Sequence, residues 1–174
     1  MRVVLRTLFI LILLGVGLLA AVWLWPSTPL EAGARADRIV VEKSDRRLTL
    51  FKDGKPLKTY SVSLGWRPDG AKTRQGDGKT PEGRYVIDWR NPSSKFHRAL
   101  HVSYPDASDR AAATKRGVSP GGDIMIHGMK NGFGWMGNLH RLIDWTDGCI
   151  AVTDTEIKEI WRAVPNGTPI EIKP

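Results

Sequence analysis

The chain has 174 residues, with 26 lysines and arginines against 18 aspartates and glutamates, a formal net charge of +8, and one cysteine. A solitary thiol excludes an intramolecular disulfide framework. The basic excess suits an anionic polymer or a membrane surface, but no lysine–arginine cluster is interleaved with aromatics, so a nucleic-acid partner is not expected.

Residues 1–25 come first. Arg2 and Arg6 precede an uncharged run of 19 residues, TLFILILLGVGLLAAVWLW, from Thr7 to Trp25. At about 1.5 Å per residue this helix would span most of a hydrocarbon core about 30 Å thick. The arginines place the short N-terminus in the cytoplasm and the remainder outside, and Trp23 and Trp25 sit where an aromatic belt would anchor a helix. A cleaved signal peptide is the competing reading, with small-residue sites at Ala32-Gly33-Ala34 or Ala34-Arg35-Ala36. The apolar run exceeds the usual h-region and those sites lie far downstream of it, so an uncleaved anchor is expected. Either way the rest of the chain works in the cell envelope, on the periplasmic, extracytoplasmic side. Residues 26–37 read as a linker rich in proline and small residues, and 38–174 as one domain long enough to bury a core.

Within that domain R-I-V-V-E-K (38–43) and R-L-T-L-F-K (47–52) alternate as strands. Asp53-Gly54 is a hairpin signal leading into P-L-K-T-Y-S-V-S-L (56–64). Residues 65–83 form a long Gly- and Pro-rich loop, of a length that is usually functional or mobile. Strands return at 84–89 and 99–104, and Ser108 to Arg116 reads as a short helix capped by Ser108 and stopped by Gly117. D-I-M-I-H (123–127) is a brief apolar strand. Thr153-Asp-Thr-Glu156 is a capping box, and Ile157, Ile160, Trp161 and Val164 then mark one buried helix face. P-I-E-I-K closes the chain as a strand. Strands dominate without βαβ alternation, so the expected class is mostly β or α+β around a folded-over sheet.

The lone cysteine stands in D-W-T-D-G-C-I-A-V (144–152). In an oxidising compartment it is buried and inert, paired with another chain, or reactive. Gly148 before it permits close backbone approach. The helix capped at Thr153 lies just beyond, where its N-terminus would favour a thiolate. His127, followed by Gly128, ends a short strand and has the pKa range of a base for a cysteine nucleophile. Thr146, Asp147, Gly148 and Cys149 share a tight segment whose N–H groups could converge on an oxyanion. Zinc held by His127, His140 and Cys149 is the rival use of these atoms, but ligand pairs at zinc spacing are missing from the sequence. His97 and His101 sit near or on a strand at a spacing that would share a face.

I-H-G, an intervening loop, then T-D-G-C-I-A resembles the L,D-transpeptidase (YkuD-like) catalytic domain of bacterial cell-wall enzymes. G-D-G-K-T-P-E-G-R-Y (76–85) resembles that family's Thr-Pro-Glu-Gly-x-Tyr segment, and R-L-T-L-F-K-D-G-K its first hairpin, so the likeness runs from about residue 38 to 173. The resemblance implies a single β-rich catalytic domain acting on peptidoglycan stem peptides, with no cofactor and no metal. On this carry-over Cys149 is the nucleophile and His127 the general acid/base, oriented by the backbone carbonyl of Gly128, and an amine from a second stem resolves the thioester into a cross-link. The loop 65–83 would border the substrate groove. Asp147 stands where the family usually has histidine, and Ala151 where arginine or asparagine is common. The stretch from His127 to Cys149 is also longer than usual. Similar Gly-Cys-x-Ala variants occur among members that cut wall-linked amides, which keeps open a hydrolytic carboxypeptidase or amidase, with His140 a possible auxiliary. A non-catalytic wall-binding module of the same fold is the further alternative.

Overall fold

The computed structural model describes residues 2–23 and 28–174. Its strands are β1 (Arg38–Glu42), β2 (Arg47–Lys52), β3 (Lys55–Ser61), β4 (Gly83–Asn91), β5 (Ala99–Val102), β6 (Met125–His127), β7 (Ile150–Ala151) and β8 (Pro169–Lys173). They form a sheet in the order β3-β2-β1-β8-β4-β5-β6-β7. The β2–β3 hairpin turns at Asp53 and Gly54, whose φ values of 49° and 75° match a tight turn with two left-handed residues. β8 enters the middle of the sheet, parallel to β1 and antiparallel to β4.

Past β3 the chain crosses to the opposite edge of the sheet. Ser63 and Ala151 exchange two backbone hydrogen bonds of 3.0 and 2.8 Å, and Gly65 bridges to Thr146. The β3 and β7 edges are thereby sewn together and the sheet curls on itself. Inside lie Ile39, Leu48, Leu100, Ile126 and Ile150, all fully buried. Each such side chain contributes about 1.5–3 kcal/mol relative to exposure.

α3 (Asp154–Ala163) packs Ile157, Ile160 and Ala163 into this core, with the capping box at Thr153 and Glu156 formed in both directions. α2 (Ala107–Lys115) is capped two residues earlier than its sequence suggests. Its cap is Asp106, not Ser108, because a carboxylate at 106 accepts from the Asp109 N–H at 2.8 Å while Asp109 accepts from the Asp106 N–H at 3.0 Å. The strand expected from residue 123 begins at Met125, since Asp123 adopts a left-handed φ of 56°. His97, also left-handed at φ 64°, precedes β5 and so does not share a strand face with His101. A 3-10 segment Gly134–Leu142, kinked at Gly137, fills part of the stretch before Cys149.

α1 (Arg2–Trp23) is apolar, with side chains such as Leu8, Phe9 and Ile12 exposed. Among the described residues no helix is long and apolar enough to cross a membrane. Part of the expected anchor lies outside the described residues: Met1, Leu24 and Trp25, and the side chains of Arg2, Val3, Leu5, Val22 and Trp23, with linker residues Pro26 and Ser27.

Candidate active site

β6 and β7 run parallel with Ile126 opposite Ile150 and His127 opposite Ala151. Ile126 and Ile150 are both in the core, so strand alternation turns Met125, His127 and Cys149 to the other face. Cys149 then lies level with Met125, and His127 is its diagonal neighbour on the adjacent strand. Strand spacing and rise put their Cα atoms roughly 8 Å apart, within reach of a cysteine and an imidazole turned toward each other. Both line a cleft of about 660 Å³ with Phe96, Trp145, Asp123 and Asp147.

The Nδ1 of His127 lies 2.6 Å from the Gly128 carbonyl oxygen. An oxygen there can only accept, so Nδ1 carries the proton and Nε2 is left as an acceptor. Gly128 has no room for a larger residue: a Cβ would fall 2.7 Å from Asp154 Oδ1 and 2.9 Å from Ile157 Cγ2. The ring packs against Phe96 and Trp145, at centroid distances of 4.5 and 5.8 Å. Burial among these aromatics pushes the His127 pKa down to about 4, the bond to Gly128 opposing the fall.

Cys149 is half-buried, and its Sγ meets the Asp123 carbonyl oxygen at 3.5 Å. Burial, with Asp147 and Asp123 adding to it, pushes the thiol up to about 11 against the Met125 N–H and Lys72. The expected thiolate support from α3 is outweighed. The first turn of that helix is already served by Thr153, Asp154 and Glu156. At neutral pH both members of the pair are uncharged at rest.

The segment before Cys149 is tightly bound. Thr146 Oγ1 donates to the Cys149 carbonyl at 2.7 Å and accepts the Gly148 N–H at 3.1 Å, while the Thr146 N–H goes to Leu64 O at 3.1 Å. Two of the four N–H groups considered as oxyanion donors are thus occupied in the resting structure. Gly148 is required twice over, by a φ of 119° and by Lys79 O, which would lie 2.4 Å from a Cβ.

The loop 65–83 does not line the cleft, contrary to expectation. It is fastened behind Cys149 instead. Buried Asp77 accepts from Lys72 Nζ and from the N–H groups of Thr73, Arg74 and Lys79, at 2.8–3.1 Å. Buried Lys43 donates to Gly70 O, Thr80 O and Glu82 Oε1. The cleft wall is built in its place by residues 91–96 between β4 and β5, which the sequence marked only by the turn-forming Asn-Pro-Ser-Ser cluster at 91–94.

His140 lies outside the cleft. It is buried behind Trp145, its Nδ1 3.0 Å from Ser63 Oγ, and it faces a separate apolar cavity of about 540 Å³ bounded by Leu19 and Met136. Among the described residues no group of three His, Cys, Asp or Glu is placed to hold a metal ion.

A family model described as the L,D-transpeptidase catalytic domain, YkuD, matches residues 36–172. YafK of Escherichia coli (strain K12) is 33% identical over 134 residues, covering 72% of this chain and 46% of its own length. The chain therefore spans about half the length of that curated relative. Bd1075 of Bdellovibrio bacteriovorus superposes with a TM-score of 0.56 at 26% identity, covering 83% of this chain and 50% of that one. The helical cell shape determining protein Pgp2 of Campylobacter jejuni gives a TM-score of 0.59 at 22% identity over 88% of this chain and 53% of its own, a likeness of fold.

Proposed function

The chain belongs to the L,D-transpeptidase catalytic-domain family, and from that membership we propose that it is a cysteine-dependent transpeptidase acting on peptidoglycan stem peptides. The observation that carries the reading is the shared face of β6 and β7, which brings Cys149 and an imidazole with an unprotonated Nε2 into one cleft. With both groups neutral at rest, the thiol proton passes to His127 Nε2 as sulfur attacks the carbonyl of the donor stem. The C–N bond to the leaving amino acid breaks, the departing amine takes that proton, and a thioester on Cys149 is left. An acceptor amine from a second stem then gives its proton to His127, attacks the thioester, and releases the thiol as a new cross-link forms. The N–H groups of Asp147 and Cys149 are the segment's remaining candidates for holding the oxyanion. The place of action is the extracytoplasmic face of the envelope, with residues 7–25 holding the domain at the membrane. The flanking arginines and the exposed apolar surface of α1 support that placement.

Hydrolysis shares every step up to the thioester, and the aspartate in place of the family's usual histidine at 147 favours keeping it as the second reading. Incubation with disaccharide tetrapeptide, followed by mass analysis, separates the two. Cross-linked dimers absent from Cys149→Ala are expected; tripeptide with free amino acid and no dimer would assign the hydrolase. A thiol that never captures an acyl group would leave only a wall-binding module.

A further inference from the structure

A folded domain in water seldom gathers large exposed apolar side chains in one place, so a group of them marks a surface that meets something else. Phe133, Trp135, Leu142 and Ile143 fall within one stretch of chain and are 46%, 68%, 59% and 67% exposed. They stay exposed with α1 beside them. That helix touches the 3-10 segment Gly134–Leu142, and its Leu19 bounds the cavity of about 540 Å³ that Phe133, Leu142 and Ile143 also line. The helix therefore meets the stretch without covering it.

The position of α1 points to the missing cover. From Val4 to Leu19 its apolar side chains are exposed all round, the pattern of a helix that lipid surrounds. With Arg2 and Arg6 on the inner side, its Trp23 end faces outward. Leu19 lies four residues, about 6 Å, below that end. An interfacial element sinks its apolar face about 5–10 Å into the boundary between headgroups and acyl chains. Side chains that meet α1 at Leu19 stand at that depth. The charges agree with this placement. Residues 129–143 include Lys130 and Arg141 and no carboxylate, and Lys130 is exposed without an ion pair among the described residues. Basic side chains beside an inserted apolar face are drawn to anionic headgroups.

We propose that residues 133–143 form a second membrane contact, an apolar patch that dips into the outer leaflet beside α1, with lipid as its occupant. This rests on residues 7–25 as the membrane anchor and adds an orientation to it. Lys130 and Trp145 line both the apolar cavity and the cleft of Cys149. The cleft is thereby held against the bilayer surface instead of swinging at the end of the linker 26–37. The stem peptides it meets first are those nearest the membrane.

The test sets a fluorescent probe on the patch of the full chain. The dye NBD is attached to Ile143→Cys in a Cys149→Ser background. The protein is reconstituted into vesicles of phosphatidylcholine and phosphatidylglycerol, with or without a nitroxide on the upper part of the acyl chain. The control probe sits at Lys55→Cys, at the start of β3 and about 20 Å of strand from the end nearest His140. The probe at 143 should shift to the blue and lose about half of its emission to the nitroxide, while the control keeps its own. Phe133→Glu with Leu142→Glu, both at exposed positions, should bring the 143 probe to the level of the control. Equal quenching at 143 and 55 overturns the inference. A blue shift at 143 without quenching also overturns it, because protein, either α1 or a second copy of the chain, then covers the patch. An alkaline carbonate wash separates the two readings. A chain stripped from the vesicles after showing a quenched 143 probe loses the anchor and keeps the docked patch. A chain that resists the wash with an unquenched probe keeps the anchor and loses the patch.

Discussion

Two long stretches flank Cys149, residues 65–83 and 129–147, and they differ in what they bury and what they expose. The first is polar and fastened by Asp77 from within and by Lys43 from the end of β1, each almost wholly buried and fully bonded. The second is pinned by Asp144 to Arg46 and the Leu64 N–H, but it is richer in apolar side chains, leaving Phe133, Leu142 and Ile143 exposed while sending Trp145 inward against His127. A buried ionic network fixes geometry at the risk of collapse when one member is lost. An apolar strap tolerates change on its outer side and is sensitive only where it touches the core. The rigid stretch therefore sets where the sulfur sits, and the apolar one sets how wet the imidazole is.

That contrast can be broken most severely at the contact between the polar loop and the segment before Cys149. Gly148→Ala would force a Cβ against Lys79 O at an unfavourable φ. We expect a loss of more than ~4 kcal/mol in urea unfolding, or no folded protein at all. Asp77→Ala comes next, leaving Lys72 buried without its partner and three N–H groups unmet, for ~3–5 kcal/mol by the same measurement. The acid sensitivity of this loop has a definite sign. Burial raises the Asp77 pKa, but bonds from the Thr73 N–H, Lys72 and neighbouring amides win and hold it down to about 2. Its share of stability, about 2 kcal/mol, is present above pH ~4 and drains away as pH falls toward 2. Unfolding midpoints that do not move across that window in the native protein, relative to Asp77→Ala, would contradict it.

Smaller effects belong to the apolar stretch. Trp145→Ala should cost ~2 kcal/mol and let water reach His127, raising its pKa from about 4 toward the usual 6.5. Histidine titration by NMR reads this directly. On the proposed acyl-transfer reading, the acid limb of kcat/KM, expected near pH 4 in the native protein, should move up in step. Ile143→Ser, on the exposed side, should change stability by no more than ~0.5 kcal/mol.

Local signals were legible in the sequence wherever a few neighbouring residues decide the outcome. Asp53-Gly54 makes its hairpin, and Thr153 with Glu156 makes its reciprocal cap, because both depend on contacts within one turn. The mostly β class follows from alternation in the same way. The insertion of β8 between β1 and β4, and the sewing of Ser63 to Ala151, depend on partners far along the chain that no period announces. The site divides likewise. Gly148 before Cys149 pointed to a close backbone approach, and Lys79 O supplies it. A Gly-rich run at 65–83 gave no hint that one aspartate and one buried lysine would convert it into a brace, nor that residues 91–96 would take its place at the cleft.

The stitching of Ser63 to Ala151 has a consequence for when this protein becomes reactive. Contacts between segments so distant in the chain close late during folding, after nearer strands have found each other. Since Cys149 stands two residues from that junction, a nascent or half-assembled chain would carry a sulfur with no wall, no neighbouring ring and no orienting backbone. Any chemical competence would then arrive together with the last act of self-assembly, and the thiol would stay unsupported until its scaffold is whole.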